Sequence, residues 1–251
     1  MLPLPNWRAA WLSVALLAGT AQAETVAVAV ASNFTAPMQK IAAQFAQDTG
    51  HQAQLSFGST GKFYAQIHHG APFGILLAAD DTTSAKLASE GQGVADSRFT
   101  YATGQLVLWS QQAGLIDDRG EVLRQGNWQH IAIANPKLAP YGRAALQTLD
   151  ALGLTAAVTP KMVQGENIGQ TYQFAASGNA QLGFVALSQV MQEGRIQQGS
   201  AWIVPASMHA PIRQDAILLS SAKDNPAAQA LMEYLQSDKA RAIISAYGYT
   251  F

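Results

Sequence analysis

The chain has no cysteine, and only 12% of its 251 residues are charged. Without thiols there is no disulfide framework, no cysteine nucleophile and no thiolate metal site. Basic and acidic residues nearly balance, 15 against 16, so no cationic excess exists to hold nucleic acid or an anionic membrane. Beyond the first two dozen residues no apolar run approaches the roughly 20 that a bilayer-spanning helix needs. Catalytic patterns are equally scarce. His51, His68, His69, His130 and His209 have no recognisable catalytic setting, no G-x-S-x-G elbow occurs, and Asp80-Asp81 and Asp117-Asp118 read as turn or surface residues. His68 and His69 are adjacent on a helix, about 100° apart, and cannot share a metal face. What remains, at 49% hydrophobic residues, is a globular protein able to build a core without staples.

The first segment reads as an address. Arg8 precedes the apolar run Ala9–Ala18, and Ala21-Gln22-Ala23 supplies a small-x-small processing site. This predicts a signal peptide over 1–23, cleaved after Ala23, and hence export. Loss of Arg8 leaves 14 basic and 16 acidic residues, 14 − 16 = −2. An anion bound by such a chain would be held by dipoles and hydrogen bonds.

The stretch that organises the rest is Val26–Ala31, an apolar run with valine at every second position, entering Ser32-Asn33-Phe34. It predicts a buried strand followed by a helix from about Asn33 to Asp48, with apolar residues at Phe34, Met38, Ile41 and Phe45. A strand-to-helix corner presents free N–H groups and the positive end of a helix dipole. An N-cap role alone would account for Ser32 and Asn33. A second corner of the same kind, Phe57-Gly58-Ser59-Thr60-Gly61-Lys62, argues for more. It is not a nucleotide-binding P-loop, because Ser56 and Phe63 stand where that motif needs Gly and Ser or Thr.

Further on, the pattern predicts a strand near Ile75–Ala79 and one longer strand from Tyr101 to Ser110, interrupted at Gly104, as a crossing between lobes. A strand Ile131–Ala134 leads through Tyr141 to a helix. Thr159–Val163 reads as a short strand before a helix from about Gln170, and Gln181–Leu187 as another strand. Trp202–Pro205 and Ile212–Leu219 read as strands returning to the first lobe, followed by helices Pro226–Leu235 and Lys239–Ala246. Alternation of this kind means parallel sheets covered by helices, in two similar lobes. Tyr141 could be a surface ring or a phenol donor facing a cleft, and at Ile168 only the backbone N–H could serve a ligand.

In this order and spacing, several segments resemble one family, the periplasmic molybdate-binding proteins that feed ABC importers. They are Val30-Ala31-Ser32-Asn33, Phe57–Gly61, Gly70-Ala71-Pro72 with Leu77–Asp80, Ala134-Asn135-Pro136 with Tyr141-Gly142, Gly165–Ile168, Leu182–Val185 and Tyr247-Gly248-Tyr249. The resemblance covers the mature chain. It implies an α/β, type II periplasmic binding protein fold: two lobes with a ligand cleft and hinge, residues 24–103 plus 206–251 in lobe 1 and 104–205 in lobe 2. Carried over by position, the ligand-binding residues are Ser32, Asn33, Ser59, Thr60, Tyr141 and Ile168. Many relatives place a tyrosine where Ala186 stands, which leaves Tyr141 to supply the phenol.

The function so implied is non-enzymatic: a monomeric periplasmic receptor for molybdate or tungstate, with no cofactor and no free metal cation. Its partner would be an inner-membrane ABC permease driven by a cytoplasmic ATPase. The rival expectations are a receptor for sulfate, phosphate or a ferric anion, an exported hydrolase, and a sensor that reports the ligand-closed form.

Overall fold

A computed structural model describes residues 23–251; the leader expected over 1–23, except for Ala23, lies outside them. The first lobe opens with β1 (Thr25–Ala31), whose Val28 and Val30 are completely buried. A single 3₁₀ turn (Ser32–Phe34) leads into α1 (Thr35–Thr49), which buries Met38, Ile41 and Phe45 along one face. Each such aliphatic side chain contributes about 1.5–3 kcal/mol. Then follow β2 (Gln52–Gly58), α2 (Thr60–His68), β3 (Ile75–Leu77), α3 (Thr82–Ser89) and β4 (Phe99–Gly104).

Here the chain changes sheet. The single interrupted strand expected over 101–110 is two strands, β4 and β5 (Leu106–Ser110), which lie in different sheets. The glycine between them answers to close approach. A Cβ on Gly104 would lie 2.0 Å from the Tyr141 hydroxyl and 2.5 Å from Gln214 Nε2.

The second lobe continues with α4 (Val122–Gln125), β6 (Ile131–Ala134), α5 (Pro140–Ala151), α6 (Thr155–Val158), β7 (Met162–Gly165) and α7 (Ile168–Ala176). It closes with β8 (Leu182–Ala186), α8 (Leu187–Val190), the small hairpin β9 (Met191–Gln192) and β10 (Arg195–Ile196), and β11 (Ser200–Ile203). Two expectations fail in this stretch. Thr159–Lys161 is a 3₁₀ turn; Pro160, lacking an N–H, suits a turn better than a ladder. Trp202 does not lead back to the first lobe, because β11 pairs antiparallel with β5 and Trp202 packs in the second core.

The return is made between β11 and β12 (Ile212–Leu218), after which α9 (Pro226–Tyr234) and α10 (Asp238–Ala246) cover the first sheet. The two main sheets have strand orders β2-β1-β3-β12-β4 and β11-β5-β8-β6-β7. In the first, β1 runs parallel to β2 and β3 while β12 is antiparallel to β3 and β4. In the second, β6 is parallel to β7 and β8. Each sheet has its own core, one built around Phe34, Ile41 and Leu231, the other around Leu106, Phe184 and Trp128. No helix of the described residues is long and apolar enough to cross a membrane.

Candidate functional site

The carboxyl ends of the parallel strands of both sheets face one another, and the helices that follow those strands begin there. The 3₁₀ turn before α1 follows β1, α2 follows β2, α5 follows β6 and α7 follows β7. One small cavity is lined by Ala31, Ser32, Asn33, Ser59, Thr60 and Ala79 from the first lobe and by Ala139, Pro140, Tyr141 and Ile168 from the second. All six residues singled out in the sequence are therefore brought together. They are nearly sealed from solvent, from 1% exposed for Thr60 and Tyr141 to 8% for Ser32.

Most of these helix starts are left uncapped. Ser59 occupies the N-cap of α2 with extended backbone, yet its side chain makes no capping bond. Neither the 3₁₀ turn, α1 nor α5 has a side-chain cap; only α7 has one, where the Asn167 side chain accepts from the Gln170 N–H. Thr60, Tyr141 and Ile168 lie in first turns, where no intrahelical carbonyl serves an N–H. With the helix dipoles, these groups form a concentration of positive potential without a cation. Neither lysine nor arginine lines the cavity.

The hydroxyl protons divide into committed and free. Ser32 Oγ donates to the Gly58 carbonyl at 2.9 Å. Thr60 Oγ1 instead accepts from the Ala79 N–H at 2.9 Å, which leaves its own proton to donate. Ser59 Oγ is buried without any partner, as is Asn33 Oδ1. The Asn33 side chain has no donor to spare. Both protons of its amide are taken, by Gln214 Oε1 at 2.7 Å and by the Tyr249 hydroxyl at 2.9 Å.

That pairing reveals a layer the sequence reading missed. Gln214 Nε2 donates to the Tyr141 hydroxyl at 3.1 Å, and the Tyr101 hydroxyl divides its one proton between Gln214 Oε1 at 3.0 Å and the Ala78 carbonyl at 3.1 Å. The Tyr249 hydroxyl lies 2.9 Å from the Asn33 carbonyl and 3.0 Å from Ser188 Oγ. Burial pushes the Tyr141 and Tyr101 phenols well above their ordinary range and Tyr249 up to about 12, so all three are neutral donors at physiological pH. The signal for Gln214 was a polar run, Arg213-Gln214-Asp215, inside an otherwise apolar strand.

The lobes are in contact around the cavity. The Gly61 N–H donates to the Leu138 carbonyl at 3.0 Å. Lys62 pairs with Glu166 at 2.5 Å, and Arg143 with Asp80 at 3.1 Å, both pairs crossing between lobes. Ala186, the alternative position for a tyrosine, is fully buried. A larger groove of about 440 Å³ shares only Ser32 and Asn33 with the cavity and is walled by Trp109, Tyr172 and Met191. It meets the starts of α1 and α8 but not those of α2, α5 and α7, which converge on the smaller, sealed space.

Comparison with known proteins gives one direction. The chain matches the family described as bacterial extracellular solute-binding protein over residues 26–250. It is 59% identical to the molybdate-binding protein ModA of Azotobacter vinelandii, over 95% of this chain and 94% of that one. With the ModA of Rhodobacter capsulatus it shares 46% identity over 96% of each. Among solved structures, the periplasmic molybdate-binding protein of Azotobacter vinelandii superposes with a TM-score of 0.87 at 43% identity, covering 90% of this chain and 99% of that chain. The sulfate-binding protein SubI of Mycobacterium tuberculosis shares the fold, with a TM-score of 0.75 at 12% identity, over 90% of this chain and 86% of that chain.

Proposed function

Because this chain belongs to the family of bacterial extracellular solute-binding proteins, we propose that it captures molybdate in the periplasm and delivers it to an ABC importer. It is a binding protein and not an enzyme. Tungstate, with the same charge and nearly the same size, is the expected second ligand. The partner is an inner-membrane permease with a cytoplasmic ATPase, and the protein acts as a monomer, exported by a leader over 1–23 that is removed after Ala23. Residues 24–103 plus 206–251 form one lobe and 104–205 the other.

The observation that carries the reading is Ser59, a buried hydroxyl without a partner at the uncapped start of a helix, in a cavity made by both lobes. Leaving such a group unsatisfied costs about 1–3 kcal/mol. An oxyanion removes that cost. The ligand set is Ser32, Asn33, Ser59, Thr60, Tyr141 and Ile168, with Ser32, Asn33 and Ile168 contributing mainly through backbone N–H groups. Molybdate is a fully ionised dianion at neutral pH and suits a ring of donors. Hydrogen phosphate carries a proton that such a ring has little to receive. Since ligand contacts come from both lobes, binding favours the closed form.

Calorimetry with molybdate, tungstate, sulfate and phosphate tests this. Molybdate and tungstate should bind tightly and the other two weakly; tight sulfate binding with weak molybdate binding would overturn the choice of ligand.

A further inference from the structure

Gln214 lies fully buried in β12 opposite a bulge of β4, where the pairing passes from Gln214 with Ala102 to Asp215 with Thr100 and leaves Tyr101 as the extra residue. The two ends of its amide have different duties. Oε1 accepts from Asn33 and shares the Tyr101 proton with the Ala78 carbonyl, all in its own lobe, while Nε2 donates across the interface to the hydroxyl of Tyr141. A phenol has one proton, and the partner already on its oxygen decides where that proton goes. With Nε2 donating, Tyr141 keeps its proton to donate; the other hydroxyl beside it, that of Tyr249, is already engaged with Asn33 and Ser188. The contact is direct, since even a methyl group on Gly104 would lie 2.0 Å from the Tyr141 hydroxyl and 2.5 Å from Gln214 Nε2.

We propose that Gln214 is a positioning residue for anion capture. It fixes the hydrogen-bond polarity of Tyr141 as the lobes meet, so that the phenol presents its proton to the ligand. Asn33 and Tyr101 hold the amide carbonyl, which keeps Gln214 from turning over and accepting the phenol proton itself. Closure and ligand reading thereby become one event. This inference rests on the oxyanion reading of the cavity.

A double-mutant cycle tests it, with molybdate affinity measured by calorimetry on the full mature protein. Tyr141→Phe and Gln214→Met should each lower affinity by about tenfold or more, and the double variant should lose little beyond the larger single loss. Multiplicative losses, or wild-type affinity in Gln214→Met, would overturn the proposal; so would coupling of Gln214 to Asn33→Ala without coupling to Tyr141→Phe. If Gln214→Met does not fold, Gln214→Glu replaces it. Ionised, its carboxylate takes the phenol proton, so affinity should fall from pH 5 to pH 8, and the fall should shrink on the Tyr141→Phe background. An equal fall on both backgrounds, or none, counts against the assignment. Should the wild-type protein bind sulfate in place of molybdate, the ligand reading fails, while the same cycle run with sulfate still tests Gln214.

Discussion

Lys62, in the first turn of α2, places its ammonium 2.5 Å from the carboxylate of Glu166, which precedes α7 in the opposite lobe. The pair ties the rims of two helix starts whose first-turn residues line the cavity. Arg143 and Asp80 make a second tie at 3.1 Å. Both pairs are solvent-accessible, with Lys62 and Glu166 side chains 43% and 65% exposed, so each is worth at most roughly 1 kcal/mol. Lys62→Met should therefore weaken molybdate binding only a few-fold at low salt and hardly at all at high salt. Calorimetry at two ionic strengths reads this difference.

Ser59 should give effects of opposite sign in the empty and loaded protein. Ser59→Ala removes a buried hydroxyl without a partner, so the ligand-free protein should be unchanged or more stable by roughly 1 kcal/mol. Affinity should fall by about 1.5–3 kcal/mol, as it should for Thr60→Ala. Ile168→Ala should cost less, because the backbone N–H survives. Thermal melts with and without molybdate separate these outcomes, and unchanged affinity in Thr60→Ala would remove that residue from the ligand set.

Gly104→Ala is expected to act on closure. The added methyl group would meet the Tyr141 hydroxyl at 2.0 Å, a contact that exists only when the lobes are together. Overpacking of this kind costs about 1–3 kcal/mol; the share against Tyr141 falls on the closed form alone, while the share against Gln214 Nε2, at 2.5 Å on the neighbouring strand, falls on both forms. The variant should be somewhat less stable even without ligand, bind weakly and show little compaction in solution scattering when molybdate is added. Full compaction with wild-type affinity would contradict the placement of this clash.

The binding profile should be flat in pH. The titratable group lining the cavity is Tyr141, held neutral by burial, and nearby Tyr249 is pushed up to about 12. A tyrosine whose folded pKa is raised contributes stability that is complete below its unfolded value near 10 and is lost as pH rises through the folded value. Affinity for molybdate should thus hold between about pH 6 and 9, and stability should fall only above about 10. Calorimetry and melts across that range check both.

Much of this arrangement was legible from residue order. Valine alternation in β1, the glycine-serine-threonine turn before α2 and the tyrosine after Pro140 each mark a strand handing over to a helix, and all four corners meet in space. What residue order could not convey was the division of protons. Whether Asn33 faces a ligand or a scaffold depends on Gln214 and Tyr249, which lie 181 and 216 residues away in the chain. The misplacement of Trp202 has the same origin. Its apolar character fits a strand in either lobe, and only the pairing of β11 with β5 decides. Ser59 could have been an ordinary cap, and the absence of a capping bond is visible only in coordinates.

A cavity lined by neutral groups has a consequence for hand-over. Grip resides in neutral donors that converge from two sides and in the exclusion of water, both of which are lost together once a membrane partner pries the halves apart. No fixed countercharge remains to detain the departing dianion, so emptying the receptor is a mechanical task and needs no proton or competing ion.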